Sequence, residues 1–174
     1  MPSPPPYQLR SGTEQDLPAI LEIFNHEVRT TTSLYLQDPV TLANRKAWFD
    51  GLRDGGYPFI VATAREGEGG EEEEVVGYST LNTFRDTLGF NTVEVSLYIH
   101  RDHRGRGLGH LLTREIIRLG KERGYHTIIA GICTENSASL SLYKSHGFRE
   151  VGVFRESGFK SGRWMSTAFY QLML

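Results

Sequence analysis

Between Arg104 and Gly109 the chain reads Arg-Gly-Arg-Gly-Leu-Gly, three glycines and two arginines in six residues. Residues of these types at this spacing make an anion site. Glycines let backbone approach a ligand closely, and the free N–H groups of a helix start point at negative charge. The helix is announced by apolar spacing through Leu108, Leu111, Leu112, Ile116 and Leu119. A strand precedes the loop, because Val93, Val95, Leu97 and Ile99 alternate with Glu94, Ser96 and Tyr98. The loop lacks the Lys-Ser/Thr ending that holds a nucleoside triphosphate and its magnesium. Gly105 and Gly107 match the opening of a dinucleotide fingerprint, but His110 stands where its third glycine belongs. By itself the glycine pattern reads equally well as a tight strand-to-helix turn.

Other candidate groups carry less. Cys133 is the sole cysteine, has no histidine or carboxylate relay around it, and reads as a small apolar filler at a strand end. His100 and His103 stand three apart in a polar turn without further ligands at useful spacing, so no metal site is expected. Arg85 lies in the polar stretch Phe84-Arg-Asp-Thr87, where an arginine is ordinarily solvated. Residues 66–74 are rich in glycine and glutamate; their like charges repel, and the segment reads as a solvated hairpin loop.

A chain of 174 residues is one domain by length and is long enough to bury a core. Nineteen Lys and Arg against twenty-one Asp and Glu give a net charge of -2, so no basic field points to nucleic acid. One cysteine excludes an internal disulfide framework and suits a reducing compartment. No apolar run approaches the ~20 residues that span a bilayer, so no membrane partner is expected. The start, MPSPPPYQLR, lacks the apolar segment of a signal peptide. Residues 1–6 read as a flexible Pro-rich tail before a single domain over 7–174, and the expected location is cytoplasmic.

The elements that must position the loop follow in order. Residues 7–10 predict a first strand. Thr13 and Asp16 resemble a capping box. The helix behind them places Leu17, Ile20, Leu21, Phe24 and Val28 on one stripe, until the β-branched residues of Arg29-Thr-Thr-Thr32 end it. Asp38-Pro39 is expected to start a second helix, with Leu42, Trp48, Phe49 and Leu52 inward and Gly55-Gly56 at its end. Strands are predicted over 59–64 and 75–84, and a loop over 85–92 leads into the central strand. Beyond the loop's helix, which Gly124 stops, residues 126–132 are mostly apolar, as expected of a strand with parallel neighbours. Asn136 caps a short helix carrying Leu140, Leu142 and Tyr143, ended by Gly147. Two last strands are predicted over 148–154 and 164–174, separated by a loop over 155–163. The alternation argues an α/β domain with a mixed sheet.

Three pieces now stand in one order: the strand from Val93 to Ile99, the loop Arg104-x-x-Gly107-x-Gly109, and Asn136-Ser-Ala-Ser-Leu-Ser-Leu-Tyr143 with Gly147-Phe148. Together they resemble the GNAT superfamily of N-acetyltransferases, whose acetyl-CoA pyrophosphate loop has the Arg104–Gly109 pattern. The chain is more closely similar to the branch acting on phosphinothricin, methionine sulfone and methionine sulfoximine. The matching pieces are Asn25-His26, Thr31-Thr32, Trp48-Phe49, Gly56-Tyr57-Pro58, Gly77-Tyr78, Phe84-Arg85, Thr92-Val93-Glu94 and Gly158-Phe-Lys-Ser-Gly-Arg-Trp164. They cover the chain apart from its first six residues and the Glu-rich loop.

The resemblance implies a mixed, mostly antiparallel sheet, splayed at the cofactor site and flanked by helices. It implies acetylation of the α-amino group of a small amino-acid-like substrate, using acetyl-CoA, by direct transfer in a ternary complex. A GNAT acting on a protein N-terminus or another amine, and a non-catalytic acyl-CoA-binding module, are the alternatives. An amine is mostly protonated near pH 7, and the resemblance makes Glu94 the general base, acting through a water. Taken alone, Glu94 also reads as a solvated strand carboxylate. Backbone at Leu97, Tyr98 and Ile99 would receive the pantetheine arm and polarise the thioester carbonyl. Arg104, Gly105, Arg106, Gly107, Leu108, Gly109 and His110 would hold the pyrophosphate, and Asn136 the CoA arm as well as its helix. Tyr143 stands at the superfamily's general-acid position, where several members of the branch carry histidine; a core tyrosine is the other reading. Phe84, Arg85, Asp86 and Thr87, with Glu94, would form the acceptor site, Arg85 gripping a carboxylate or phosphinate. Asn91 stands where the branch often has a second arginine, in a loop shorter than the branch pattern. A homodimer is implied, with Lys160 and Trp164 reaching the site from the partner.

Overall fold

The alternating apolar runs pair into one seven-stranded sheet, in the order β1-β2-β3-β4-β5-β7-β6. The computed structural model describes residues 7–65, 73–89 and 91–174. The strands are β1 (Tyr7–Ser11), β2 (Phe59–Arg65), β3 (Glu73–Thr83), β4 (Thr92–Ile99), β5 (Thr127–Cys133), β6 (Arg149–Lys160) and β7 (Arg163–Met173). All neighbours run antiparallel except β4 and β5. Helices α1 (Leu17–Thr30) and α2 (Leu42–Asp54) cover one face, α3 (Leu108–Glu122) and α4 (Ser137–Ser145) the other. The period of two along β2 divides its residues between two cores. Phe59 and Val61 pack with Leu17, Ile20 and Leu52, whereas Ile60 and Ala62 pack with Leu108, Leu112 and Ile116. The tail over 1–6, Phe90, and residues 66–72 of the Glu-rich loop lie outside the described residues; Glu73 and Glu74 already belong to β3. Among the described residues no helix is long and apolar enough to cross a membrane.

The one parallel junction is short. β4 and β5 register only at Thr92↔Thr127, Val93↔Ile128 and Glu94↔Ile129. Beyond that point β3 keeps β4 company to Ile99, and β7 keeps β5 company to Cys133. A notch therefore opens within the sheet, with residues 95–99 on one lip and 130–133 on the other. His100 N–H donates to Val76 O. Antiparallel alternation then turns the backbones of Leu97 and Ile99 away from β3, toward the notch that β5 has left.

Three expectations fail, each for a physical reason. The second helix starts at Leu42, not at Asp38-Pro39. Thr41 Oγ1 caps it, accepting from Asn44 N–H at 3.2 Å. The buried Asn25 amide on α1 grips Val40, donating to its O at 2.9 Å and accepting from its N–H at 2.8 Å, which keeps residues 38–40 out of the helix. Leu42 is consequently 48% exposed, and Arg45 turns inward, its guanidinium 4.1 Å over the Phe24 ring. β5 has one parallel neighbour rather than two, since β7 pairs with it antiparallel. The loop expected over 155–163 is mostly strand: β6 runs on to Lys160 and turns at Ser161-Gly162. Both turn residues are left-handed (φ 51° and 77°), the geometry whose twist suits a two-residue hairpin. Register breaks after Glu150 and after Phe154 absorb the polar Arg155-Glu-Ser stretch that disguised the strand.

Candidate active site

Gly107 caps α3 in the left-handed conformation (φ 83°). A side chain there would meet nothing within 4 Å, so the position needs glycine for its backbone and not for space. Gly105 is likewise left-handed and open, whereas a Cβ on Gly109 would stand 3.2 Å from Leu142 of α4. Open glycine backbone at the start of a 15-residue helix fits a phosphate group. Arg104 is tied down: it pairs with Glu27, a carboxylate buried on α1, and its Nε donates to Ile99 O at 3.2 Å. Thr31 Oγ1 donates to the other Glu27 oxygen at 3.1 Å. His110 Nδ1 lies 3.1 Å from His146 Nε2. Burial, and then His110 and Arg114, hold the His146 ring below its ordinary pKa.

Glu94 stands where the β4–β5 pairing ends. Its Oε1 comes within 3.2 Å of where a side chain on Gly131 would begin, and the Phe169 ring within 3.3 Å of that point. The absence of a side chain at Gly131 makes this room. Burial pushes the Glu94 carboxyl above the ordinary carboxylate range, with no cation to offset it. Tyr143 is buried against Phe148, ring centroids 5.0 Å apart. Burial first, then Tyr98 and Glu94, push its phenol up, so it keeps its proton at neutral pH. Asn136 Oδ1 caps α4 by accepting from Ser139 N–H at 3.1 Å, and its Nδ2 donates to Ser33 Oγ at 3.1 Å.

One cavity of about 980 Å³ joins these groups. Glu94 and Tyr143 line it, as do Leu97, Tyr98, Ile99 and Asn136. From the loop it takes Arg104, Gly105, Gly107, Gly109 and His110, but not Arg106, which is exposed, nor Leu108, which is 1% exposed in the core. Phe84, Arg85, Asp86 and Thr87 are also outside the lining. A short turn carries Asp86–Leu88 onto the surface, and the exposed Arg85 guanidinium sits 5.7 Å over the Phe84 ring.

Several lining residues escaped the sequence reading. Gly131 had a signal, because a glycine inside an apolar strand marks a close approach. So did Glu27, an acid between Phe24 and Val28 on a buried stripe. Lys160, which the resemblance brings to the site from a partner, lines this chain's own cavity, whereas Trp164 is 60% exposed and does not line it.

Residues 20–148 match the acetyltransferase (GNAT) family. The chain is 40% identical over 167 residues to an L-methionine sulfoximine/L-methionine sulfone acetyltransferase of Pseudomonas aeruginosa, covering 95% of this chain and 94% of that one. Its fold is similar to that of a GNAT superfamily phosphinothricin acetyltransferase from Sinorhizobium meliloti, solved in complex with acetyl-CoA. The TM-score is 0.89 at 32% identity, over 97% of this chain and 89% of the other. A ribosomal-protein-alanine N-acetyltransferase from Brucella melitensis superposes with a TM-score of 0.87 at 38% identity, over 96% and 99% of the two chains.

Proposed function

This chain is an N-acetyltransferase of the GNAT family, and we propose that it acetylates the α-amino group of a small amino-acid-like acceptor. The acceptor is of the phosphinothricin, methionine sulfone or methionine sulfoximine type, the donor is acetyl-CoA, and transfer is direct within a ternary complex. One observation supports this above the others: a single cavity joins an open helix-start cradle to the fork in the sheet where Glu94 stands.

The loop from Gly105 to His110 fits the phosphates of the donor, and the notch fits its pantetheine arm, with Leu97 and the Ile99 N–H offering backbone that β5 does not reach. Glu94 takes a proton from the acceptor ammonium through a water, leaving a neutral amine. A carboxyl with a raised pKa is a better match to that proton than an ordinary glutamate. As the N–C bond forms and the C–S bond breaks, backbone N–H on β4 stabilises the charge on the carbonyl oxygen. Tyr143, protonated at neutral pH, gives its proton to the departing sulfur and regains one from the nitrogen, which sheds its second proton as the amide forms. The reaction is assigned to the cytoplasm, where a lone thiol such as Cys133 stays reduced.

A homodimer belongs to the same proposal. β6 is the edge of the sheet and exposes Val151 (65%), Val153, Phe154 and Phe159, with Trp164 beside them on β7. Large apolar side chains on an uncovered edge strand suit a second copy.

The test is CoA-thiol release with acetyl-CoA and phosphinothricin, methionine sulfone, methionine sulfoximine, free amino acids, polyamines and short peptides. Turnover confined to the first three is the expected result. The Brucella neighbour favours acetylation of a protein N-terminus as a second reading, and turnover with peptides alone would replace the first by it. Acetyl-CoA binding without thiol release from any amine would leave a binding module.

A further inference from the structure

Lys160 is 6% exposed and lines the cavity. Burying an ammonium is costly unless it is paired. Its one hydrogen bond among the described residues goes to Leu34 O, at 2.6 Å. An ammonium has three N–H donors, so two remain. Burial pushes the amine down, and Glu27, which opposes that, is already committed to Arg104 and Thr31.

The wall around Lys160 is rigidly built. Residues 33–37 form a strap across the β6–β7 hairpin. Tyr35 Oη donates to Ser166 O at 3.2 Å and lies 3.0 Å from Thr167 Oγ1, and Gln37 Nε2 donates to Phe159 O at 2.7 Å. Gly158 gives way to the Tyr35 ring, which would stand 2.1 Å from a Cβ at that position. The ammonium is therefore fixed in place, unlike that of a solvated lysine.

The cations of the cavity divide by position. At the loop, Arg104 is paired with Glu27 and His110 meets His146. Arg29 is exposed at the end of α1. Lys160 alone combines burial, a fixed position and spare donors. An amino acid carries its amine and its carboxylate on one carbon. A site that delivers the amine to Glu94 therefore needs a cation for the carboxylate, and Arg85 stands outside the cavity.

We propose that Lys160 binds the α-carboxylate of the acceptor and so makes the site choose amino acids over simple amines. The assignment rests on the acetyl-transfer reading above. It is tested by measuring CoA-thiol release for wild type and Lys160→Met with methionine sulfone and with its methyl ester, and by calorimetric titration of acetyl-CoA. The mutant-to-wild-type ratio for each substrate cancels the intrinsic reactivity of its amine. Lys160→Met should lose about ten- to a hundredfold in kcat/KM for the acid, mostly through KM, as expected for a hydrogen bond to a charged group. The ester should lose roughly threefold at most on the same scale. Equal losses for acid and ester would reduce Lys160 to an anchor for Leu34 and overturn the proposal.

A second measurement needs no variant. In wild type, methionine sulfone, but not its ester, should protect Lys160 from reductive methylation read by mass spectrometry; equal protection by both overturns the assignment. Wild type that binds acetyl-CoA yet releases thiol with no amine would mark the failure of the acetyl-transfer reading itself, and the assignment would fall with it.

Discussion

The two walls of the cavity are made differently. The loop wall is contiguous, a turn and a helix start over residues 104–110, and what it offers a ligand is backbone left open by glycine. The facing wall is assembled from a strap over 33–37 and a hairpin over 158–167, and what it offers is side chains held by backbone carbonyls distant in sequence. A ligand that never changes can be met by backbone, which few substitutions alter. Discrimination between acceptors needs side chains, and those need the whole fold to place them.

Substitutions can separate the two walls. The largest effect is expected where they meet. Glu94→Gln should lower kcat by about a hundredfold or more while leaving acetyl-CoA affinity by calorimetry unchanged; unaltered kcat would remove Glu94 from the chemistry. Because the base must be ionised, wild-type kcat/KM should fall with falling pH through the raised Glu94 pKa, a limb lying above the ordinary glutamate range. The same shift costs stability. A raised carboxyl binds more protons folded than unfolded, so stability drops as pH rises from the ordinary glutamate value to the raised one, and stays lower above it. Glu94→Gln should therefore raise Tm at neutral pH.

Gly107→Ala attacks the loop wall alone. A left-handed alanine costs about 1–2 kcal/mol, so the free loop should relax out of that conformation and bind acetyl-CoA roughly tenfold more weakly, with acceptor KM unchanged. Tyr35→Phe attacks the facing wall alone. Losing its hydroxyl contacts should cost about 1 kcal/mol in denaturant unfolding and raise acceptor KM with acetyl-CoA affinity intact. A Tyr35→Phe enzyme with weakened acetyl-CoA binding instead would show that the walls are not separable. Arg85→Ala should do least, within about 0.5 kcal/mol in stability and less than about twofold in kcat/KM; a tenfold loss would return Arg85 to the acceptor site.

The same division decided what could be read in advance. Glycine, arginine and a helical stripe lie side by side from Arg104 to Leu119, so the loop wall is written in one window of sequence. The facing wall is not. Asn25 holds Val40 outside the helix from fifteen residues away, which no local pattern for a helix at Asp38-Pro39 could reveal. Leu42 and Arg45 exchange places because an arginine can lie flat on the Phe24 ring, an option that apolar periodicity ignores. The polar run through Arg155, Glu156 and Ser157 reads as loop because a register break lets a strand carry it. Arg85 shows the converse: a motif can be legible and still be carried out of the lining by the turn that follows it.

The strap also sets a timetable. Leu34 meets Lys160 across 126 residues, and Tyr35 meets Thr167 across 132. Contacts that close such long stretches of chain form slowly, whereas a turn and its helix need only their neighbours. During synthesis the phosphate cradle can be finished while the last hairpin is still unmade, and during refolding helix signal should return before acceptor binding. The cradle for the donor's phosphates needs only its neighbours in sequence, whereas the acceptor wall waits for the final strand.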